Sequence, residues 1–247
     1  MKSRAVVWKQ LIKTIAIVCG FGFASNAYAG TLSKLGETGF SPDGAYFSFE
    51  QYGIEDGSGF PFSNITIIDV LADKWVENSP FEVKIEDTAE PIFAARQKVQ
   101  AQIAGIIQKL GISSNNGDTV AYNPISQLGG KPDWMQFLPF SWGTGGHQSI
   151  EINLETYPLT SRDDCDVFGP TYGFRLVMIR GSATQTLYQD SEIPKSRFCP
   201  QSYQLDRIEA FVTPDKRLVL AIIVRVYTPG FEGQDASYLA VVKQMPL

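Results

Sequence analysis

Apolar residues recur at every second position through most of the chain. Ile150, Ile152 and Leu154 alternate with Ser149, Glu151, Asn153 and Glu155, and Tyr172, Phe174, Leu176 and Met178 keep the same period. A period of two puts successive side chains on opposite faces, as in a strand with one face covered. Tyr46, Phe47 and Phe49 make a short aromatic run, and residues 65–70 (ITIIDV) predict another strand. Residues 218–226 are almost continuously apolar, broken only by Arg225. That pattern suits a central strand covered on both faces. One segment departs from period two. Ile92, Ala95, Val99, Ile103, Ile106 and Leu110 recur at steps of three and four, giving one apolar helical face. Asp87, Glu90 and Pro91 stand at its start, Lys109 in its last turn and Gly111 just beyond. The opposite face holds Gln and small residues without a basic cluster, so the stripe faces a core rather than a membrane. The expected fold is mainly β, built of antiparallel hairpins and meanders, propeller-like or two-sheet. One amphipathic helix packs near residues 91–110.

A weak internal repeat organises the chain. FSPDGAYF at 40–47 and FVTPDKRL at 211–218 each place a Pro-Asp turn ahead of a strand. Each strand then enters a Gly-rich acidic loop, residues 55–59 or 230–235, followed by another apolar strand. Each loop should therefore join antiparallel neighbours. If the chain folds back on itself, the two loops lie side by side, with Phe60, Phe62 and Phe231 on a common rim.

The amino terminus carries an address. Lys2, Arg4, Lys9 and Lys13 come without a carboxylate, and the apolar run 14–24 follows. A membrane-spanning helix needs about 20 apolar residues, so this run is too short. Ala27 and Ala29 form the small-x-small pattern of a signal-peptidase site. Residues 1–29 are expected to be a signal peptide cleaved after Ala29. Residues 30–247 would then form a single secreted β-rich domain, periplasmic or released, with no membrane span. Cys19 follows Val18 rather than the small residue that lipid attachment requires, so the Ala29 site is preferred. Losing four cations and no anions takes the net charge from −5 to −9.

With 21 Lys and Arg against 26 Asp and Glu, nucleic-acid binding is not expected, because phosphate contacts rest on cations. Beyond the leader, Cys165 and Cys199 remain, and an oxidising compartment favours a disulfide over two separate thiols. His147 is the only histidine, which excludes zinc sites needing two or three. There is no Gly-x-Ser-x-Gly elbow for a serine nucleophile and no Lys to make residues 143–147 a phosphate cradle. The row His147, Ser149, Glu151, Asn153 and Glu155 is the wet face of a strand or, alternatively, the wall of a groove. Asp163, Asp164 and Asp166, or Glu55 and Asp56, would suit calcium best but match no calcium-loop pattern, so solvated turns are preferred. No metal or cofactor is expected. Trp134 and Trp142, with Phe60, Phe62 and Phe231, are the aromatic candidates for a partner or ligand surface; burial in the core is the competing role.

FSPDG at 40–44, followed by a strand, NITIID at 64–69 and Lys74-Trp75, resembles one blade of the periplasmic Tol-type β-propellers. DGSGFP at 56–61, GFRL at 173–176, CP at 199–200 and PGFEG at 229–233 resemble an uncharacterised family of predicted secreted bacterial proteins, a domain of unknown function. That resemblance spans most of the chain and implies no activity. The expectation is a non-enzymatic binding module whose partner is a periplasmic protein or glycan. The alternative is a hydrolase of cell-envelope polymers using paired carboxylates.

Overall fold

The computed structural model describes residues 30–127, 129–139, 148–161, 165–231 and 233–247. In chain order the elements are β1 (Lys34–Phe40), β2 (Tyr46–Ile54), β3 (Pro61–Asp69), β4 (Lys74–Trp75) and β5 (Phe81–Lys84). Then come α1 (Ile92–Leu110), β6 (Asp118–Tyr122), β7 (Trp134–Phe137), β8 (Ile150–Pro158), β9 (Tyr172–Arg180) and β10 (Ala183–Gln189). The chain ends in β11 (Ser202–Val212), β12 (Arg217–Pro229) and β13 (Gln234–Pro246). These strands make three antiparallel sheets. The first runs β1-β2-β3-β4 with β5 also on β3, the middle one β13-β12-β11-β6, and the third β10-β9-β8-β7. No closed barrel forms among the described residues.

The two faces of β12 explain the stacking. Val219, Ala221 and Ile223 pack on Phe47, Phe49 and Ile68 of the first sheet. Leu218, Leu220, Ile222 and Val224 pack on Ile150, Ile152, Leu154, Phe174 and Leu176 of the third. A strand that is apolar on both faces needs a layer on each side. The two-sheet arrangement is therefore corrected to three layers. Each fully buried Val, Leu or Ile here contributes roughly 1.5–3 kcal/mol. Arg225, the break in the run, is buried and paired with buried Asp206 of β11.

Helix α1 covers the outer face of the first sheet. Its Ala95, Val99 and Ile103 are buried, and the last two meet Ile65 and Ile67 of β3. Gly111 ends it at φ 65°, a left-handed conformation natural to glycine, and its N–H donates to the Gln108 carbonyl.

The repeat is a structural one. Asp43 accepts from Ser41 Oγ and the Ala45 N–H in the β1–β2 turn, and Asp215 accepts from Thr213 Oγ1 in the β11–β12 turn. The turns pack together, since a Cβ on Gly44 would lie 2.6 Å from Thr213 Cγ2. At the far end the two Gly-rich loops also meet. A Cβ on Gly57 would lie 4.0 Å from the Phe231 ring, and Thr31 joins the loops by hydrogen bonds. Its Oγ1 accepts from the Asp56 N–H at 2.8 Å, and its N–H donates to Asp235 Oδ1 at 2.6 Å.

Cys165 and Cys199 are disulfide-bonded with Cα atoms 5.6 Å apart, closing the segment that carries the β9–β10 hairpin.

Candidate groove along the edge of the middle sheet

Strand β13 is an edge of the middle sheet, and its outer side borders a groove. One wall comes from β3 and β4 through Asn64, Thr66, Ile68 and Trp75. The other comes from β10 and the segment after it through Tyr188, Pro194 and Arg197. Ser237 to Val241 of β13 lie between them, around a volume of about 860 Å³. A second hollow of about 560 Å³ shares Ser33, Phe62, Asn64, Glu82 and Ser237 with the first, so the two are continuous. The second hollow is acidic: Glu55, Asp56, Glu82 and Asp235 line it with Lys84, which is 3.3 Å from Glu55.

Two buried oxygens on this lining lack a hydrogen-bond partner among the described residues, Asp56 Oδ2 and Asn64 Oδ1. A buried polar atom without a partner is uncommon in folded proteins and calls for an explanation. Both are acceptors.

The Arg197 wall is held by a buried network. The Arg197 guanidinium forks onto Asp190 at 2.6 and 2.8 Å and also donates to the hydroxyls of Tyr188 and Tyr203. It lies 4.9 Å from the centroid of the Phe174 ring. Asp190 in turn accepts from the Phe174 N–H at 2.9 Å. Burial pushes the Tyr203 phenol up to about 12, and Tyr188 rises too, from burial and then from its hydrogen bond to Asp190. A raised folded-state pKa holds the proton while the unfolded chain has already ionised near pH 10. The stability this gives is intact below pH 10 and is lost as pH climbs toward 12. A loss of about 2–3 kcal/mol from Tyr203 across that window is expected. Denaturant unfolding at pH 9, 10.5 and 12 measures it, with Tyr203→Phe flattening the slope.

A second pocket of about 170 Å³ lies under α1, beside buried Glu50. Arg96 grips Glu50 through two bonds of 2.8 and 2.7 Å, and Ser63 Oγ donates to it as well. Gly36 is required there, because a Cβ would lie 2.4 Å from Glu50 Oε2.

The predicted aromatics separate. Phe62 is half-buried and lines both parts of the groove. Phe60 is half-buried in the adjoining loop, and Phe231 is 83% exposed over Gly57. Trp134 lies on β7 with Lys131 stacked 5.0 Å from its ring, away from this lining. Hydrogen bonds from Trp134 and then Asn153 hold the Glu151 carboxyl below its usual range. Trp142, His147, Asp163 and Asp164 lie outside the described residues. Among the described residues no group of three or more His, Cys, Asp and Glu is placed to hold a metal. None of their helices is long and apolar enough to cross a membrane.

Sequence reasoning missed Gln51, Asp190 and Arg197, single polar residues with partners on other elements, and Asn64, whose Oδ1 has none among the described residues. No local pattern marks them.

Stacked antiparallel sheets with a groove along an open edge define a β-layered protein in which strand edges frame a hollow of about 860 Å³. The chain belongs to the family described as predicted secreted protein (DUF2259), whose model matches residues 48–243. No curated protein matches it.

Proposed function

We propose that the protein is exported with cleavage after Ala29 and works in the periplasm as a non-enzymatic binding module. Its ligand lies in the groove between β13 and the first sheet, with Phe62 in the lining and Phe231 on the rim. The observation that supports this reading is the pair of orphaned acceptors, Asp56 Oδ2 and Asn64 Oδ1, on one continuous lining. A ligand carrying N–H, O–H or ammonium donors satisfies both once the two side chains turn toward the groove.

Asn64→Leu tests the reading, because it removes an acceptor that has no partner among the described residues. Stability should stay within about 1 kcal/mol of wild type. Affinity for soluble envelope glycans or short peptides should fall by at least tenfold, read by intrinsic tryptophan fluorescence. Phe231→Ser should leave stability within about 0.5 kcal/mol, as for an exposed site. An Asn64→Leu protein that binds every such ligand as wild type does would end the proposal.

A paired-carboxylate hydrolase is the second reading, favoured by Asp56 sharing a hollow with Glu82 and Asp235. It requires turnover of an envelope polymer that Asp56→Asn abolishes.

A further inference from the structure

The outer edge of β13 has a definite polarity. Its even-numbered residues turn their backbone groups away from β12. The Ala236 N–H donates to the Thr31 carbonyl and its carbonyl accepts from the Ser33 N–H, both at 2.9 Å. One step along, the Tyr238 N–H donates to Gln51 Oε1 at 2.9 Å, and Gln51 Nε2 donates to the Tyr238 carbonyl at 3.3 Å. The Gln51 side chain does for Tyr238 what a neighbouring strand would do. The β12–β13 register runs unshifted from Arg217 opposite Pro246 to Pro229 opposite Gln234. The alternation of an antiparallel ladder therefore turns Ala240 outward too. Among the described residues no strand pairs with β13 at that position. The groove follows β13 from Ser237 to Val241 and the facing side of β3 from Phe62 to Ile68. Five strand residues span roughly 17 Å.

We propose that this groove accepts an extended cationic peptide as an added strand on the outer edge of β13. The inference rests on the binding reading above and names the ligand class. Outward backbone groups at Tyr238 and Ala240 repeat with strand spacing, which another strand matches and a sugar chain does not. The first pairing already exists in miniature, where Thr31 and Ser33 flank Ala236 as a short parallel bridge at Leu32. Charge sets the composition of the peptide. Asp56, Glu82 and Asp235 gather at one end of the groove, while the nearby Lys84 is engaged by Glu55. A lysine or arginine at the corresponding end of the peptide meets them. Gln51 is then a removable stopper that keeps the edge from pairing indiscriminately.

The probe is a set of end-blocked hexapeptides, Lys-X-Thr-X-Thr-X with X as Val, Leu or Phe, titrated into residues 30–247. Hydrogen exchange follows the backbone amides. At least one peptide is expected to slow exchange at Tyr238 and Ala240 by tenfold or more. N-methylation at alternate residues of that peptide should weaken it at least tenfold, and Lys→Glu should weaken it severalfold. Ala240→Pro removes the outward N–H at an edge position that tolerates proline and should abolish binding. Gln51→Ala, which frees the edge at Tyr238, should tighten binding at least threefold and serves if Ala240→Pro does not fold. Binding that is indifferent to N-methylation, or unchanged or weakened by Gln51→Ala, overturns the proposal. So does a peptide set that leaves both amides unprotected. If chitohexaose then binds and Asn64→Leu abolishes it, strand addition fails while the groove reading stands. If neither probe binds, both fail. Protection that grows with protein concentration alone means a second copy fills the groove, and the peptide proposal falls.

Discussion

Asp190→Ala is expected to lower the unfolding free energy by about 3–5 kcal/mol. The side chain of Asp190 is fully buried and that of Arg197 is 9% exposed, so the variant strands a guanidinium with little water. The hydroxyls of Tyr188 and Tyr203 and the Phe174 ring remain around it, but none carries a negative charge. The Phe174 N–H, which donates to Asp190 Oδ2, loses its acceptor as well. Asp190→Asn keeps an acceptor for that N–H and should lose less. Urea unfolding with an unchanged m-value measures both. A loss below about 1 kcal/mol would show that Arg197 escapes to solvent when its partner goes.

Removing the disulfide should have a comparable effect. Cys165→Ala is expected to cost about 3–4 kcal/mol for a closed loop of 34 positions, on the loop-entropy account. For a domain of this size that corresponds to a fall in Tm of roughly 10 °C. Thermal unfolding without reductant, beside wild type and wild type with reductant, gives the value. Reduced wild type should melt close to the variant. The loosening falls on the segment between the short 3-10 turns at Asp166–Phe168 and Lys195–Arg197, which brings Arg197 to Asp190. The two substitutions should therefore be less than additive, because each loosens the same segment.

The strands that carry strong periodicity were legible in the sequence, and so was the helix. Strands β8, β9 and β12 bury alternating or continuous apolar residues, and α1 ends at the glycine that sequence marks. Strand β10, ATQTLYQ, was not legible: it is an edge strand with one buried side chain, so no period develops. Strands β4 and β5 are too short to show one. The three-layer stacking is implied by β12 alone, whose continuous run demands two covers, although neither cover is named by it. The loop pairing was legible because the two Pro-Asp turns and Gly-rich loops repeat. The groove itself was legible at Phe62 and at the acids of the two Gly-rich loops, Glu55, Asp56 and Asp235. Gln51 meets Tyr238 across 187 positions, and Glu50 meets Arg96 across 46. Polar partners at such separations leave no mark on local pattern, since either residue alone looks like an ordinary surface position.

The middle sheet is the last to be synthesised. Apart from β6, all of its strands lie in residues 202–246, after every strand of the two sheets it separates. A growing chain therefore makes both slices before the filling. Until β11, β12 and β13 emerge, Phe47 and Phe49 on one side and Ile150 and Ile152 on the other lack the surfaces that cover them. Premature termination ahead of residue 202 is therefore expected to leave two uncovered apolar sheets prone to self-association. The carboxy-terminal strands are thus the keystone of assembly.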